Sequence, residues 1–502
     1  MLSKVKRLWI NLWLVFRMTI LVIPALALAD QPAEERMPLT IRDCIMMALE
    51  NNLEISIERM TPKMDAADIL KARGDFDPTL VFTPNYLYEE TPLTAQATVA
   101  AGGRSATQTR TASVDTSVEG KIPLGTEYKL NLTSADTQST FNSFRDQYGT
   151  FWGLELTQPL LKGFGPANQL NTIRIARKQK EISEEALIQK VADIVTRIKS
   201  AYYNLFFALE NQRVQFQALE EATKLLENNR KRVEIGVLTP LDVATAESGV
   251  AEREVQVIST NQEVKQRMNE LRALIFEDIS GVRDRMLWPV DQPSDIPVPS
   301  RNLDEVFANA MEDRPDYRQA KLAVEQQHLQ VKYYENQGYP QVDLKGSYGY
   351  NGIGNDFSES VTTEDRRWAL GFAVRIPLPD QAGQGQLEKS RLERERALLQ
   401  LKQAEQTVLL EVDNAWEKVQ TNYKSIRATR VATHAAEEAL AAEMTKLKAG
   451  TTTSFTVLQL QNKAADARSR EIRALADYNI SLAELEKAEG ISLRTNQIEL
   501  IK

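Results

Sequence analysis

The sequence predicts a mostly helical protein that carries a transmembrane β-barrel, with four strands per protomer, and that states its own plan twice. Three observations carry this. Asn168 to Ile235 and Gln386 to Ala449 each run without a single proline or glycine, far beyond the length of ordinary globular helices, so both read as coiled coil. Four short runs alternate large apolar residues with small or polar ones, the pattern of barrel strands that face lipid on one side and water on the other. Finally, Ala201 and Ala415, Ala222 and Ala436, and Gly236 and Gly450 are all 214 residues apart. A constant offset over such a distance marks an internal duplication with no gap between the copies.

The chain opens with a secretory signal over 1–29: Lys4, Lys6 and Arg7, an apolar stretch from Met18 to Leu28, and small residues at Ala27-Leu28-Ala29. A membrane anchor over Leu8 to Ala29 would bury Asn11 and Arg17 in the span, which is costly, so cleavage and export are expected. No later stretch is apolar enough to cross a bilayer as a helix. The mature chain keeps 57 of the 61 basic residues against 69 acidic ones. This acidic balance argues against nucleic acid as a partner, because phosphate neutralisation needs a positive surface. Cys44 is the one cysteine of the sequence, so no internal disulfide is available; it lies in an amphipathic helical pattern and reads as a buried thiol.

The first repeat is expected over 30–290. It begins with a helix in which Ile41, Ile45, Ala48 and Leu49 share a face, and Gly74 and Pro78 then open an extended run. Strands are expected over 76–90, where Leu80, Phe82, Tyr86 and Tyr88 form the large-residue face, and over 150–160, with Trp152, Leu154 and Leu156. Long helices follow over 168–235 and 240–276. A proline-rich linker, 291–300, cannot continue a helix. The second repeat, 301–490, has strands over 340–351 (Val342, Leu344, Tyr348, Tyr350) and 367–377 (Trp368, Leu370, Phe372, Val374, Ile376), then helices over 386–449 and 454–489, before a tail over 491–502. Heptad spacing supports the coiled coils: Leu205, Leu219, Leu226 and Val233, with Gln212 as the polar exception, and Val412, Val419, Ile426, Leu440 and Leu447, with Thr433 as the exception. Each pair of helices turns back on itself at Gly236 or Gly450, residues that a sharp helical reversal needs on conformational grounds alone.

Four strands cannot close a barrel, and an open edge in lipid leaves backbone groups unsatisfied at several kcal/mol each. Other copies must complete the wall; three give twelve strands, and six helical hairpins continue the pore as a tube. The first connection between strands is long, and SVDTSVEGKIPLGTEYKLNLTSA within it alternates around a PLGT turn. It is read as an extracellular flap; as wall strands it would raise the count to six per protomer and eighteen in the assembly. By strand parity Glu155 and Arg375 face the lumen.

Taken together, LTIRDCIMMALENN, RGDFDPTL, LTQPLLKGFG, RPDYRQAKLA, RVEIGVLTPLDVATAE and KLKAGTTTSFTVLQLQ resemble the TolC-type outer-membrane efflux proteins over nearly the whole mature chain. The resemblance implies a homotrimer in outer-membrane lipid, a passive conduit served by a periplasmic adaptor (membrane fusion) protein and by an inner-membrane efflux pump or ABC exporter. It implies adaptor docking at the two hairpin tips, Ile235, Gly236 and Val237 on one and Ala449, Gly450 and Thr451 on the other. It places the periplasmic aperture at Asp242, Thr452, Thr456 and Gln459. Members with a closed mouth carry acids at the last two positions and an arginine at the position of Thr452, so an ion-pair network is not expected here; packing and uncharged hydrogen bonds would hold the mouth instead. No acylation cysteine stands at Ala29-Asp30.

Two other classes are weighed. An enzyme would need a catalytic constellation, yet His328 and His434 sit among charged helical residues without acid–base partners, and no metal or other cofactor is expected. A structural or adaptor-like periplasmic coiled coil without a pore would not need amphipathic aromatic strands. Met37, Met46, Met47, Met60 and Met64 cluster early and read as packing residues rather than as metal ligands. Nothing in the residues names the cargo.

Overall fold

Long helices form where alanine, leucine and long charged residues run without a breaker, and a one-sided apolar seam then decides how they pack. The computed structural model describes residues 36–100, 102–295, 302–362 and 365–499. The expected signal 1–29, residues 296–300 of the linker and 500–502 of the tail lie outside them. In chain order the first half contains β1 (Arg36–Leu39), α1 (Ile41–Asn51), α2 (Leu53–Glu58), α3 (Met60–Arg73), β2 (Thr79–Pro92), α4 (Ala95–Ala100), β3 (Ala106–Lys121), β4 (Glu127–Ser139), β5 (Tyr148–Pro159), α5 (Pro166–Gln169), α6 (Asn171–Glu234), α7 (Pro240–Ile275) and β6 (Met286–Pro289). The second half contains α8 (Leu303–Asp313), α9 (Pro315–Gln337), β7 (Gln341–Gly354), α10 (Phe357–Thr362), β8 (Asp365–Arg375), α11 (Gln381–Ala449), α12 (Ser454–Ala488) and α13 (Ser492–Thr495).

The 64 residues of α6 and the 69 of α11 reach about 100 Å at about 1.5 Å per residue. On α11 the buried positions Val412, Val419, Ile426, Thr433 and Leu440 recur every seven residues, a coiled-coil seam. Its polar member, Thr433, turns its hydroxyl back to the Thr429 carbonyl at 3.0 Å. Gln212, the exception on α6, donates to Asn261 of α7 at 2.6 Å, so both interruptions are satisfied within the bundle. Helix α7 returns along α6 and α12 returns along α11, and α12 also packs against α6. Gly249 of α7 lets α12 approach: a Cβ there would stand 2.6 Å from Leu458.

The second core lies where the short helices meet these hairpins. Cys44, Ile45, Ala48 and Ile55 join Ile194, Ile198, Tyr202 and Leu205 of α6 and Leu271 and Ile275 of α7. Burial pushes the Cys44 thiol up to about 12, consistent with an inert core residue. Strands β1 and β6 pair in parallel beside this cluster. The Tyr202 hydroxyl fastens both: it donates to the Leu39 carbonyl at 3.0 Å and accepts from the Asp291 N–H at 2.8 Å.

The remaining strands form one antiparallel sheet in the order β2-β3-β4-β5-β7-β8. This corrects the expected four strands per protomer to six, and the segment read as an extracellular flap is the β3–β4 pair. The alternation in β3 is hard to read because Gln108, Arg110 and Thr116 interrupt its apolar face, but the register leaves no ambiguity. One row across the sheet runs Leu80, Val118, Leu130, Leu154, Tyr348, Trp368, and the next runs Phe82, Thr116, Leu132, Trp152, Tyr350, Arg366. Directly opposed residues share a face, so the apolar face of the expected strands continues through the inserted pair. Trp152 and Tyr350 stack on it at 4.7 Å. Its other side carries Glu119, Lys129, Glu155 and Ser347 in one row.

Candidate functional site: the helical hairpin tips

Both tips are built by the same backbone device. A helix ends by letting one residue adopt the left-handed conformation, which glycine does at no steric cost. Gly236 has φ of 76° and Gly450 of 73°. At the first tip the Gly236 N–H donates to Val233 at 2.9 Å and the Val237 N–H to Arg232 at 2.8 Å; at the second, Gly450 donates to Leu447 at 3.2 Å and Thr451 to Lys446 at 3.0 Å. Nothing lies within 4 Å of a Cβ added at either glycine, so the requirement is conformational. The return helices begin three residues after each glycine with a threonine cap, Thr239 before α7 and Thr453 before α12.

Around these turns several large apolar side chains meet solvent among exposed polar ones such as Glu234, Lys448 and Thr453. Ile235 is 73 % exposed, Val237 61 %, Leu241 75 % and Phe455 55 %. Such residues clustered at the end of a polar rod form a patch of the kind that marks an interaction surface. Ala449, Gly450 and Thr451 are exposed beside them. Leu241 and Phe455 carry no turn signal in the sequence; each is the second residue of a return helix.

The candidate aperture residues do not join one another. Asp242 caps its own helix, its carboxylate accepting from the Thr239 N–H at 3.0 Å and from the Thr239 hydroxyl at 2.8 Å. The Thr452 hydroxyl donates to Glu443, which also takes the Lys446 ammonium at 3.0 Å. These two partners, the Thr452 hydroxyl first, hold the Glu443 carboxyl below its ordinary value. The Thr456 N–H donates to the Thr453 hydroxyl at 3.3 Å, and Gln459 is exposed.

What ties the two hairpins together is a set the sequence did not single out. The Ser454 hydroxyl donates to Asn229 Oδ1 at 3.0 Å, and Asn229 Nδ2 donates to the Asp242 carbonyl at 3.2 Å. Both Asn229 and Ser454 are buried, so the bond is made away from water, where leaving it unmade is expensive. Arg232 reaches from α6 to the end of α11 and donates to the Leu447 carbonyl at 3.0 Å and the Lys448 carbonyl at 3.4 Å. A cation at the C-terminus of a helix meets its unpaired carbonyls and the negative end of its dipole. The duplication offset was the available signal: Asn229 and Arg232 correspond to Glu443 and Lys446, and only the first pair reaches across.

A second tie lies farther from the tips. Arg253 of α7 is buried and donates to Gln215 of α6 at 2.9 Å and to Asn462 of α12. Ser469 joins the layer through Asn211 at 2.7 Å. In the sheet, Glu155 and Arg375 stand on the same, polar face: Glu155 opposes Lys129 and Ser347, and Arg375 donates to Gln341 at 3.0 Å.

Residues 121–275 and 306–490 match the family model described as outer membrane efflux protein. The outer membrane efflux protein BepC of Brucella suis is 22 % identical over 341 residues, spanning 67 % of this chain and 71 % of its own. The outer membrane protein TolC of Vibrio cholerae is 21 % identical, spanning 59 % of this chain and 67 % of its own. Among solved structures, the CmeC outer membrane channel of Campylobacter jejuni superposes with a TM-score of 0.66 at 15 % identity, covering 90 % of this chain and 86 % of that one.

Proposed function

Because this chain belongs to the outer membrane efflux protein family, as an efflux channel of the outer membrane with its helical tunnel in the periplasm, we propose that three copies close one wall and one tube. The observation that carries this is the sheet. Its two outermost strands, β2 and β8, each have one unpaired edge, and their apolar sides are exposed: Leu80 70 %, Phe82 64 %, Leu370 68 % and Phe372 70 %. In lipid the apolar faces are at home and the edges are not. Pairing β8 with β2 of the next copy keeps the strands antiparallel, satisfies both edges and exposes the apolar belt. The polar side then becomes the lumen, with Glu155 and Arg375 among its linings.

The tips are the periplasmic mouth and the docking site of an adaptor protein, through Ile235, Gly236, Val237, Ala449, Gly450 and Thr451, extended by Leu241 and Phe455. The adaptor delivers cargo from an inner-membrane pump or ABC exporter. The mouth is held by the Asn229–Ser454 bond and by Arg232 rather than by acids at the aperture, where Thr456 and Gln459 stand, with Asp242 and Thr452 engaged near their own turns. Reconstitution in a planar bilayer tests this. A low resting conductance is expected to rise in Asn229→Ala with Ser454→Ala, and divalent cations added on the tip side should block little; submicromolar block would refute the uncharged mouth. Val237→Asp with Phe455→Asp should abolish co-purification with the adaptor and leave the trimer intact. A chain recovered from outer membranes as a monomer without conductance would end the reading.

A further inference from the structure

The inserted pair β3–β4 does more than lengthen a connection. It runs in register with β2 on one side over Thr79 to Pro92 and with β5 on the other over Tyr148 to Thr157, so it occupies the wall rather than hanging from it. Its outer face supplies Val118 and Leu130 to the apolar row, and its inner face carries Glu119 and Lys129, paired at 2.9 Å. Its far turn is fixed where the sheet meets the helices. The Gly165 N–H, just before α5, donates to the Leu124 carbonyl at 3.1 Å. Gly125, at φ of 98°, lies so close that a Cβ there would stand 2.7 Å from the Gly163 carbonyl. The pair therefore traverses the full height of the sheet and is anchored at the tunnel end.

We propose that this hairpin is a pore-widening element and that the assembled barrel has eighteen strands. The inference rests on threefold closure as proposed above. Strands about 4.8 Å apart and tilted by about 40° give eighteen of them a circumference of about 113 Å and a diameter of about 36 Å. Twelve would give about 24 Å. Four helices from each of three copies, about 9 Å apart, form a ring of about 34 Å. The hairpin thus brings the wall to the width of the tube it continues, and the exit does not narrow below the tunnel. Size selection then falls to the mouth and to the loops at the outer rim, and the wall itself admits any cargo that the tube admits.

The test places cysteine pairs on the inner face in a Cys44→Ala background and treats outer membranes with a thiol-to-thiol reagent of about 5 Å reach, the separation of opposed residues. Asn85→Cys with Ser113→Cys reports β2 against β3, and Ala135→Cys with Gly149→Cys reports β4 against β5. Both pairs should link in the trimer band. Asn85→Cys with Gly149→Cys should not, because three strand spacings, about 14 Å, separate them. A trimer in which the third pair links, or in which either of the first two stays open, overturns the eighteen-strand wall and leaves the channel reading standing. The absence of any trimer in the outer membrane overturns the channel reading and the wall with it. Electron microscopy of the purified trimer in lipid counts the strands independently: eighteen supports the inference and twelve overturns it.

Discussion

The two halves solve one packing problem with opposite chemistry. Helices α1 and α8 are both 11 residues long and end in a residue of nearly identical extended conformation, Asn52 in the first half and Arg314 in the second. Both residues are buried. Asn52 donates its amide to the Leu274 carbonyl at 2.9 Å, and Arg314 donates its guanidinium to the Ala488 carbonyl at 3.3 Å. Leu274 and Ala488 are related by the duplication offset, so the same job survives at the same place: fastening a short helix to the end of a return helix. A neutral amide needs nothing more. A buried cation needs carboxylates, and Arg314 has Asp316 and Glu411, each at 2.6 Å. One step away the contrast repeats. Asn309 donates to the buried Glu489 at 2.7 Å, whereas Met47 and Ile275 at the corresponding positions belong to the apolar cluster. The first socket buries only packing and a neutral amide and keeps its ion pairs, Glu54 with Lys190 at 2.6 Å and Arg197 at 2.9 Å, at the exposed rim; the second builds its ionic network around a buried cation.

The largest test of this contrast removes the cation. Arg314→Ala leaves the partly exposed Asp316 without its cation and the Ala488 carbonyl without its donor; breaking a fully buried pair costs about 3–5 kcal/mol, and the exposure of the carboxylates left behind places this loss at the lower end of that range. Asn52→Ala removes one donor and the α2 cap that Asn52 Oδ1 provides to the Ile55 N–H, for about 1–3 kcal/mol. Denaturant titration of the purified assembly should rank them in that order; equal losses would mean that the ionic network adds nothing beyond the hydrogen bond.

The halves also differ in the sheet, and a charge placed on the apolar face measures whether both parts of that face meet lipid. Leu130→Arg lies on the inserted pair and Leu370→Arg on β8, both on the apolar face. An arginine facing the bilayer midplane costs about 2–4 kcal/mol. Both variants should reduce assembled trimer in outer membranes to a similar degree, with Asn131→Arg, on the opposite face, as the tolerated control. Loss in Leu370→Arg alone would place β3–β4 outside the bilayer.

Acid separates the sockets by a smaller margin, because Glu54 at the rim of the first is also held below its ordinary value, by its bonds from Lys190 and Arg197. Burial alone would raise the Asp316 carboxyl, but the two bonds from Arg314 outweigh it and hold the group below its ordinary 3.8. A lowered carboxyl contributes stability that is present above the unfolded value and is lost as pH falls through the folded one. Destabilisation should therefore set in below about pH 4, and Asp316→Asn should flatten that part of the stability profile. Substitutions at Asn52 should leave the profile's shape unchanged.

The same asymmetry explains what could be read from the residues alone. The long helices were legible because their signal is redundant: every seventh position repeats the message, and the offset between Gly236 and Gly450 fixes their lengths. The tips were legible as turns because glycine at positive φ leaves a mark in sequence. The cross-hairpin ties were not. Asn229, Arg232 and Ser454 are ordinary residues of a helical surface until the second hairpin is brought beside them. The β3–β4 pair was visible as alternation around a glycine turn, but its place in the wall depends on register with β2 and β5. An apolar face interrupted by Gln108, Arg110 and Thr116 does not declare itself. Only the partner rows, Leu80 on one side and Leu154 on the other, settle it.

The smallest difference between the halves lies at the mouth. Thr239 and Asp242 open α7, and Thr453 and Thr456 open α12 at the corresponding positions. An acid at the third position of a helix returns to the capping backbone N–H and sits at the positive end of the helix dipole. Asp242 does this, and Thr456 has no charge to offer. Asp242→Ala should cost about 1 kcal/mol and loosen the first tip, whereas Thr456→Ala should cost only a few tenths, the usual size of a change away from such features. Thr456→Asp should gain the missing cap, stabilise the second tip slightly, and place three carboxylates around the threefold axis of the proposed mouth. The Asp242 carboxylates are engaged in their own caps, so if they do not reach the axis, Thr456→Asp alone should acquire block by divalent cations in the bilayer assay, with resting conductance otherwise unchanged. Block already present in the unsubstituted channel would show that the two tips do not differ in the way their caps do.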